Sequence, residues 1–309
     1  MTGALALSHE YFEKYALPSL RERFPELLTS LAAGLVGNGS ECFGYDDEIS
    51  HDHDWGVDFF LWLPEGYAAR IPELAAWKAE LLETHPPEFP RTKSEYGARV
   101  GIETVGGFYR SLIGYPEGPK TLNDWVNIPE ENLAMAVNGE IFLDNSGEFT
   151  KTREYLLEFF PEDLRLKRLS HSCMMMAQGG QYNFGRCAAR GDVVAARSAL
   201  SQFSDAVIAA LFLLKRRYRP YYKWRYHAAL EFAPDGILTA LAELADAKIS
   251  AAAEDIARTV ERICRGVAYL LREEGLITTQ ETFFTAHGEE LRARIAHDKL
   301  RELPAQYEI

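Results

Sequence analysis

The chain has 309 residues, enough for about two domains of ordinary size or for one large domain. Charged residues make up 26% of the sequence and hydrophobic residues 47%, a composition that excludes wholesale disorder. Because 33 basic residues stand against 46 acidic ones, the formal net charge is −13, and an extended surface for nucleic acid or anionic lipid is not expected. A local basic pocket for a small anion is still compatible with this charge.

The cysteines and the apolar segments favour a cytoplasmic protein that does not associate with a membrane. Residues 1–10 lack the basic and apolar regions of a secretory signal. The longest strongly apolar stretch, residues 206–214, ends at Lys215 and is shorter than the roughly 20 residues that a membrane-spanning helix needs. No cysteine belongs to a C-x-x-C pair, which argues against a disulfide framework and a zinc ribbon. The four cysteines are Cys42, Cys173, Cys187 and Cys264.

The first half of the chain mixes helical and strand patterns. Apolar residues at helical spacing predict a helix over residues 9–34, broken or restarted at Pro18 and Pro25. A second helix is predicted over residues 71–84, with Pro72 in its first turn. Short apolar runs bounded by turn residues predict buried strands. These strands are expected at residues 35–37, 57–63, 97–105 and 137–143.

From about residue 150 onwards the strand signals fade and helical periodicity takes over. The sequence therefore predicts an α+β fold, with a mixed sheet flanked by helices over residues 1–150 and an all-helical domain over residues 151–309. The cleft between the two domains is the expected place for a substrate. Helices are predicted over residues 151–159, 162–190, 192–217, 220–231, 235–245, 250–274 and 278–297.

The densest chemical signal lies between residues 39 and 56. Asp52 and Asp54 are two residues apart, so on an extended strand their side chains point to the same face. Two adjacent carboxylates repel each other and raise each other's pKa, which a bound divalent cation relieves. Oxygen ligands suit Mg²⁺ or Mn²⁺, which commonly hold a substrate phosphate as well. Upstream, the Gly39-Ser40 turn can bring backbone N–H groups close to an anion.

This arrangement resembles the nucleotidyltransferase superfamily typified by DNA polymerase β and kanamycin nucleotidyltransferase. The superfamily's signature is an apolar strand, a Gly-Ser or Gly-Gly pair, a gap of about a dozen residues, and Asp-x-Asp at the start of the next strand. Residues 35–37, the Gly39-Ser40 pair and the two aspartates match it in that order. Residues 50–56 also resemble the Ser-Asp-x-Asp-Leu-Gly form of bacterial members, with His51 inserted after the serine.

A weaker likeness extends into the second half of the chain. Residues 178–190 and 217–224 resemble bacterial nucleotidyltransferase-like proteins of unknown function, in which a helical C-terminal domain follows the catalytic one. The likeness therefore implies the same two-domain organisation for this chain.

The resemblance implies a set of catalytic residues. In these proteins a third carboxylate follows on a later strand, and Glu103 matches best, with Glu140 and Asp144 as weaker substitutes. Two metal ions held by Asp52, Asp54 and Glu103 would bridge the phosphates of a nucleoside triphosphate during an in-line displacement at the α-phosphorus. Gly39 and Ser40 would hold the β- and γ-phosphates, and pyrophosphate would leave.

The helical half supplies candidate binding residues. Asn183, Arg186 and Arg190 are spaced i, i+3 and i+7, so a regular helix places them on one face, with Gln178 and Tyr182 nearby. Amide and guanidinium donors suit a phosphate or a hydroxylated acceptor. We predict that Arg186, Arg190 and Lys223 contact the nucleotide and that Gln178, Tyr182 and Asn183 contact the acceptor.

Ordinary structural roles compete with each of these assignments. The two aspartates could be solvated turn residues, and Glu103 could be a surface carboxylate on an edge strand. Arg186 and Arg190 could pair with acids on a solvated helix. His51 and His53 suggest a metallo-β-lactamase pattern, but the last Asp-His of that pattern is missing.

The predicted function is that of a Mg²⁺- or Mn²⁺-dependent bacterial nucleotidyltransferase. It would move a nucleoside monophosphate onto the hydroxyl of a small acceptor, with ATP as the default donor because it is abundant. The acidic surface favours a cationic acceptor, such as an aminoglycoside-like molecule, over bulk nucleic acid. Two alternatives stand beside it: a non-catalytic nucleotide-binding module of the same fold, and transfer of the nucleotide to a protein side chain.

Overall fold

In the computed structural model, residues 3–52, 55–92 and 100–309 are described, apart from the side chains of Asp52 and Ala251. The chain forms two compact units, Met1–Glu158 and Phe159–Ile309. In the described residues, the strands form one small mixed sheet in the first unit, and helices make up most of the rest. The predicted α+β class is confirmed.

Within the described residues the sheet has four strands: β1 Ala32–Leu35, β2 Phe60–Leu63, β3 Ile102–Thr104 and β4 Glu140–Asp144. Their order across the sheet is β3-β2-β1-β4. Strand β1 is antiparallel to both β2 and β4, whereas β2 and β3 are parallel. The end of β1 and the beginnings of β2 and β3 therefore lie at the same end of the sheet.

The two faces of the sheet are covered differently. Leu61 on β2 lies in a core that also contains Phe12 and Trp77, and the neighbouring Ile102 packs against that core. The next residue along β2, Trp62, stacks on Phe149 on the other face. Since paired residues of parallel strands share a face, the side chain of Glu103, which pairs with Trp62, belongs to this second face.

The first predicted helix of this unit is interrupted within its length, and its last three predicted residues, 32–34, belong to β1 instead. The predicted helix over residues 9–34 is interrupted by a π-helix at Phe12–Ala16 and by a break at Phe24, whose φ of −135° reflects the proline that follows it. The helix predicted over residues 71–84 has the observed limits. In order, the α-helices are α1 Ala4–Tyr11, α2 Leu17–Arg23, α3 Pro25–Leu28, α4 Ile71–Thr84, α5 Val105–Ile113, α6 Leu122–Val126, α7 Glu130–Val137 and α8 Glu148–Leu157.

All four strand predictions need correction at their ends. The strand predicted over residues 57–63 begins at Phe60, and the strand predicted over residues 137–143 begins at Glu140, because Val137 still belongs to α7. The strand predicted over residues 35–37 lies earlier, as β1, because the chain leaves the sheet at Gly37, whose φ is +115°. In the described part of the strand predicted over residues 97–105, only 102–104 are extended. Helix α5 then begins at Val105, because the Thr104 side chain accepts a hydrogen bond from the Gly107 N–H and caps the helix.

The second unit is helical in its described residues. The helix predicted over residues 162–190 changes to a π-helix at Ala177–Phe184. Of the residues 278–297 that were predicted to be helical, the nine residues Thr285–Ala293 form an α-helix. The α-helices are α9 Glu162–Met176, α10 Gly185–Ala189, α11 Val193–Leu214, α12 Arg225–Ala229, α13 Asp235–Asp246, α14 Ile249–Glu273 with a break at Ala252, α15 Thr285–Ala293 and α16 Asp298–Glu302; Tyr222–Trp224 form a 3₁₀ turn.

Among the described residues, α11 is long and apolar enough to cross a membrane by length and composition. It has 22 residues, more than the apolar stretch read from the sequence, and 67% of its most apolar window is buried inside the protein. This burial is what the central helix of a soluble bundle shows as well, so α11 is weak evidence for a membrane span.

Candidate functional site

The turn that follows β1 is fixed by several hydrogen bonds. The Asn138 side chain donates to the Gly37 carbonyl and accepts from the Gly37 N–H, both at 2.8 Å. The Gly139 N–H donates to the Cys42 carbonyl at 2.7 Å. Gly37 and Gly39 have φ values of +115° and +122°, which residues with a Cβ rarely adopt. The Gly39-Ser40 turn is therefore built into the fold at the end of β1.

A buried carboxylate lies against this turn. The Glu41 side chain is 1% exposed, and a Cβ at residue 39 would lie 2.3 Å from its Oε2 atom, so a larger residue there would have to displace this carboxylate. Arg91 Nη2 donates to Glu41 Oε1 at 2.7 Å. Burial nevertheless raises the pKa of Glu41 above its ordinary value. Within the described residues, the backbone N–H groups of Gly39 and Ser40 have no hydrogen-bond partner.

The segment that contains the predicted Asp-x-Asp pair begins as a 3₁₀ helix. Asp52 is the last residue of the 3₁₀ helix Glu48–Asp52, so the expectation of an extended strand at this aspartate is wrong. Asp47 stabilises the start of that helix by accepting from the Ser50 N–H and hydroxyl. The side chain of Asp52 and all of Asp54 and His53 lie outside the described residues, and the pairing of the two carboxylates stays a prediction.

The loop around this segment is ordered by Asp46 and Trp55. Asp46 Oδ2 accepts from the Trp55 indole N–H at 2.9 Å and from the Ala4 N–H at 2.8 Å. The His51 ring stacks on Trp55 with 3.6 Å between the ring centroids. Asp46 thus ties the loop to the first helix, and His51 has a packing role that needs no metal.

Glu103 has an unusual environment for a carboxyl group. It lies on β3, is half-buried, and has no hydrogen-bond or ion-pair partner among the described residues. Burial alone raises its pKa to about 7. Its carboxyl lies near the start of α5, where a Cβ at Gly107 would be 3.7 Å from Glu103 Oε2. A desolvated carboxyl without a partner is the donor that a divalent cation would satisfy.

The two substitutes for Glu103 are already engaged elsewhere. Glu140 contacts His9 at 2.9 Å, and Asp144 accepts from the N–H groups of Gly147 and Thr150. Both lie on β4, at the opposite edge of the sheet from β3. No cluster of three or more His, Cys, Asp or Glu side chains converges on a metal-sized site within residues 3–52, 55–92 and 100–309. Of Asp52, Asp54 and Glu103, the three residues predicted first as metal ligands, only Glu103 has a described side chain.

The predicted binding residues of the second unit are mostly exposed. The Arg186 guanidinium lies over the Tyr182 ring, 4.8 Å from its centroid, and donates to the Tyr182 hydroxyl. Lys223 Nζ lies 5.2 Å from the centroid of the Trp224 ring on a separate turn. Gln178 is half-buried, and Asn183 and Arg190 are exposed. The structure brings Tyr182 and Arg186 into contact and leaves the remaining assignments untested.

The predicted binding residues of the second unit do not lie on one regular helix. A regular α-helix would place Asn183, Arg186 and Arg190 on one face. Gln178, Tyr182 and Asn183 lie instead in the π-helix Ala177–Phe184, which has more residues in each turn. Its neighbour Gln181 has a structural role: Nε2 donates to Glu261 and to the Thr282 carbonyl, and Oε1 accepts from the Phe284 N–H.

An open groove of about 500 Å³ lies between residues 180–185 and 257–265.

Sequence reasoning missed the buried pair of Glu41 and Arg91. Glu41 carried a weak signal, because it stands two residues after a glycine that the motif requires. Arg91 carried none, because it is 50 residues away in the chain and reaches the turn only through the fold. The backbone around Arg91 is held against the segment after Asp54, where the Val57 N–H donates to the Phe89 carbonyl at 2.8 Å and the Thr92 N–H to the Trp55 carbonyl at 3.0 Å.

The chain matches a family model over part of its length and is similar to a solved structure. Residues 125–225 match the model of a family described as a domain of unknown function, DUF4037. No curated protein matches the chain. Among solved structures, a nucleotidyltransferase-like protein from Exiguobacterium sibiricum 255-15 is similar, with 13% sequence identity and a TM-score of 0.35. The match covers 88% of this chain and 77% of that one. At this TM-score the similarity does not establish a common fold.

Proposed function

We propose that the protein is a metal-dependent nucleotidyltransferase whose active site lies at the end of the sheet where β1 stops and β2 and β3 start. Glu103 carries the proposal, because its carboxyl is half-buried, has no partner among the described residues and has a pKa of about 7. The Gly39-Ser40 turn lies at the same end of the sheet, where its N–H groups are available.

In this proposal Glu103 holds Mg²⁺ or Mn²⁺ together with Asp52 and Asp54. The bound metal would neutralise phosphate charge and orient the triphosphate for in-line attack. Glu103 must release its proton before it can bind a cation, and a pKa of about 7 allows this near neutral pH. Metal affinity should therefore rise with pH as Glu103 ionises. The turn at Gly39 and Ser40 holds the β- and γ-phosphates through backbone N–H groups.

The donor and the acceptor follow the sequence predictions. We propose ATP as the default donor and a small hydroxyl-bearing molecule as the acceptor, with a cationic acceptor favoured by the net charge of −13. Arg186, Arg190 and Lys223 are proposed to contact the nucleotide. Gln178, Tyr182 and Asn183 are proposed to contact the acceptor, with Tyr182 oriented by its contact to Arg186.

A donor screen tests this proposal. Thermal unfolding would be measured with ATP, GTP, CTP or UTP, with and without Mg²⁺, on the wild type, on Asp52→Asn/Asp54→Asn and on Glu103→Gln. We expect one nucleotide to stabilise the wild type only when Mg²⁺ is present, and both variants to lose this effect. Glu117→Gln is the matched control, because the Glu117 side chain is 84% exposed on the same unit.

Transfer from the labelled donor then separates the alternatives. Pyrophosphate release with label on a small molecule supports the proposed reaction. Nucleotide binding without pyrophosphate release identifies a non-catalytic module, and label that stays on protein identifies a protein-modifying enzyme. If no nucleotide changes the unfolding temperature at millimolar concentration, the proposed donor site is wrong.

A further inference from the structure

The ion pair of Glu41 and Arg91 is the least exposed pair of opposite charges in the described part of the first unit. The two side chains are 1% and 8% exposed, and Arg91 Nη2 lies 2.7 Å from Glu41 Oε1. Burying both charges removes their hydration, so such a pair contributes little stability compared with apolar side chains of similar size. Its position directly against the Gly39-Ser40 turn indicates a role in what that turn binds.

The Arg91 guanidinium has a hydrogen-bond donor that the ion pair with Glu41 does not use. Arg91 Nη1 is buried and has no hydrogen-bond partner among the described residues. A guanidinium presents five N–H donors in a planar fork that matches the oxygens of a phosphate group, and Glu41 takes up only part of this fork. Glu41 is also incompletely compensated, because burial outweighs the effect of Arg91 and raises the pKa of the carboxyl.

The unused donors are held in place beside the turn. The Glu41 carboxylate, which Arg91 contacts, lies 2.3 to 2.6 Å from the position that a Cβ at Gly39 would take. The backbone of Arg91 is fixed as well, since a Cβ at Gly56 would be 2.8 Å from Arg91 Cα. Arg91 is therefore held at its backbone and at Nη2, and the Glu41 carboxylate that it contacts lies against Gly39.

We propose that Arg91 and the Gly39-Ser40 turn form an oxyanion site for the polyphosphate of a nucleotide, and that the Glu41 carboxylate balances the Arg91 charge when no anion is bound. An entering phosphate oxygen accepts from Arg91 Nη1 and from the N–H groups of the turn. Glu41 opposes its entry by charge repulsion. This inference rests on the proposed function, because it assigns a further residue to the same triphosphate.

Inorganic tripolyphosphate is the probe that tests the site without a base, a sugar or an acceptor. Isothermal titration at low ionic strength without metal would compare the wild type with Glu41→Gln, Arg91→Lys and Glu80→Gln. Glutamine keeps the volume of Glu41 and an oxygen that can accept from Arg91, but removes the opposing charge. We expect Glu41→Gln to lower the Kd on the order of tenfold, because a single buried charge contact has this magnitude.

Glu80→Gln is the control for charge, and Arg91→Lys tests the guanidinium. Glu80→Gln removes the same charge from α4, where Glu80 pairs with Arg23, and should leave the Kd unchanged. Arg91→Lys should raise the Kd on the order of tenfold, because an ammonium lacks the planar fork. If Arg91→Lys does not fold, Glu41→Gln decides the question, since it is expected to bind more tightly.

Two results would overturn the inference. One is a folded Glu41→Gln whose Kd for tripolyphosphate is unchanged or higher; the other is no binding to either the wild type or Glu41→Gln. Tighter binding by Glu41→Gln without nucleotidyl transfer would keep the anion site and reject the proposed reaction. Nucleotidyl transfer without any change in Glu41→Gln would keep the reaction and reject the role of Arg91 and Glu41.

Discussion

At the scale of single residues, the first unit contains two carboxyl groups that burial removes wholly or partly from water. Glu41 has one buried partner, and Glu103 has none among the described residues. Both have a raised pKa because of burial. A carboxyl that is difficult to ionise in the folded protein makes folding less favourable at neutral pH, and it gains most from a bound cation. Such positions are more typical of functional sites than of structural ones.

Substituting Glu103 should show this effect on stability directly. The pKa of Glu103 is about 7 in the folded protein, above its ordinary value of 4.5 in an unfolded chain. Between these two values the unfolded chain loses a proton that the folded protein keeps, so rising pH lowers the stability of the wild type, and the loss is complete above about pH 7. We therefore expect Glu103→Gln to unfold at a higher temperature than the wild type at pH 8 in EDTA.

The measurement is thermal unfolding followed by tryptophan fluorescence, which reports mainly on the first unit because four of the five tryptophans lie there. At pH 4 the two proteins should unfold at nearly the same temperature. Added Mg²⁺ should raise the unfolding temperature of the wild type more than that of Glu103→Gln. A Glu103→Gln that is less stable than the wild type at pH 8 would contradict this account of Glu103.

At the scale of elements, the sequence predicted the segments with a strong apolar pattern and missed helices whose residues are poor helix formers. Helix α4 was predicted with the observed limits, because Pro72 marks its first turn and its apolar residues repeat at helical spacing. Helix α5 was missed because Gly106 and Gly107 are poor helix formers, and the cap by Thr104 was decisive.

In the candidate site, the sequence predicted features that local residues decide and missed features that depend on distant parts of the chain. The Gly39-Ser40 turn could be predicted from its glycines, whereas Glu103 was assigned through the resemblance, as the third carboxylate on a later strand. The pKa of Glu103 and the contact of Arg91 with Glu41 could not, because both depend on burial by residues far away in the chain. The π-helix at Ala177–Phe184 was also unpredictable, since its residues fit a regular helix equally well by pattern.

Two glycines in and beside the π-helix differ in how closely they are packed, so substituting them by alanine should have opposite effects on stability. A Cβ at Gly180 would lie 2.4 Å from Phe203 Cδ2 and 2.8 Å from Val260 Cγ1, whereas a Cβ at Gly185 would meet no atom within 4 Å. We expect Gly180→Ala to lower the free energy of unfolding by about 1–3 kcal/mol through overpacking. Gly185→Ala should raise it by about 0.5–1 kcal/mol, because alanine favours the helix.

Urea unfolding followed by circular dichroism measures both changes, and Gly185→Ala is the control for adding a methyl group to the same helical segment. Equal effects of the two substitutions would mean that the packing of Phe203 against Gly180 does not hold in solution.

At the scale of the whole molecule, the two units should respond to pH in opposite directions. The first unit contains Glu41, Glu103 and Glu148, whose pKa values burial raises. The second unit contains His171 and His287, whose pKa values burial lowers. His287 is fully buried, stacks on Phe284, and neither ring nitrogen has a hydrogen-bond partner among the described residues.

Lowering the pH from 8 to 5 should therefore stabilise the first unit and destabilise the second. The unfolded chain takes up protons at the two histidines below their ordinary value of 6.5, and the folded unit resists this uptake. Hydrogen exchange measured by mass spectrometry, corrected for the intrinsic effect of pH, would report each unit separately. His287→Phe should flatten the pH dependence of the second unit, and a shift of both units in the same direction would refute the prediction.

The π-helix between α9 and α10 also bears on how related chains can differ in length. Removing one residue from a regular α-helix rotates everything after it by roughly 100°, because each turn has 3.6 residues. Removing one residue from Ala177–Phe184 instead converts a wide turn into a regular one. Within α9 to α11, this is the place where evolution can insert or delete a single residue and keep a continuous helix. Single-residue gaps in alignments of relatives should concentrate there.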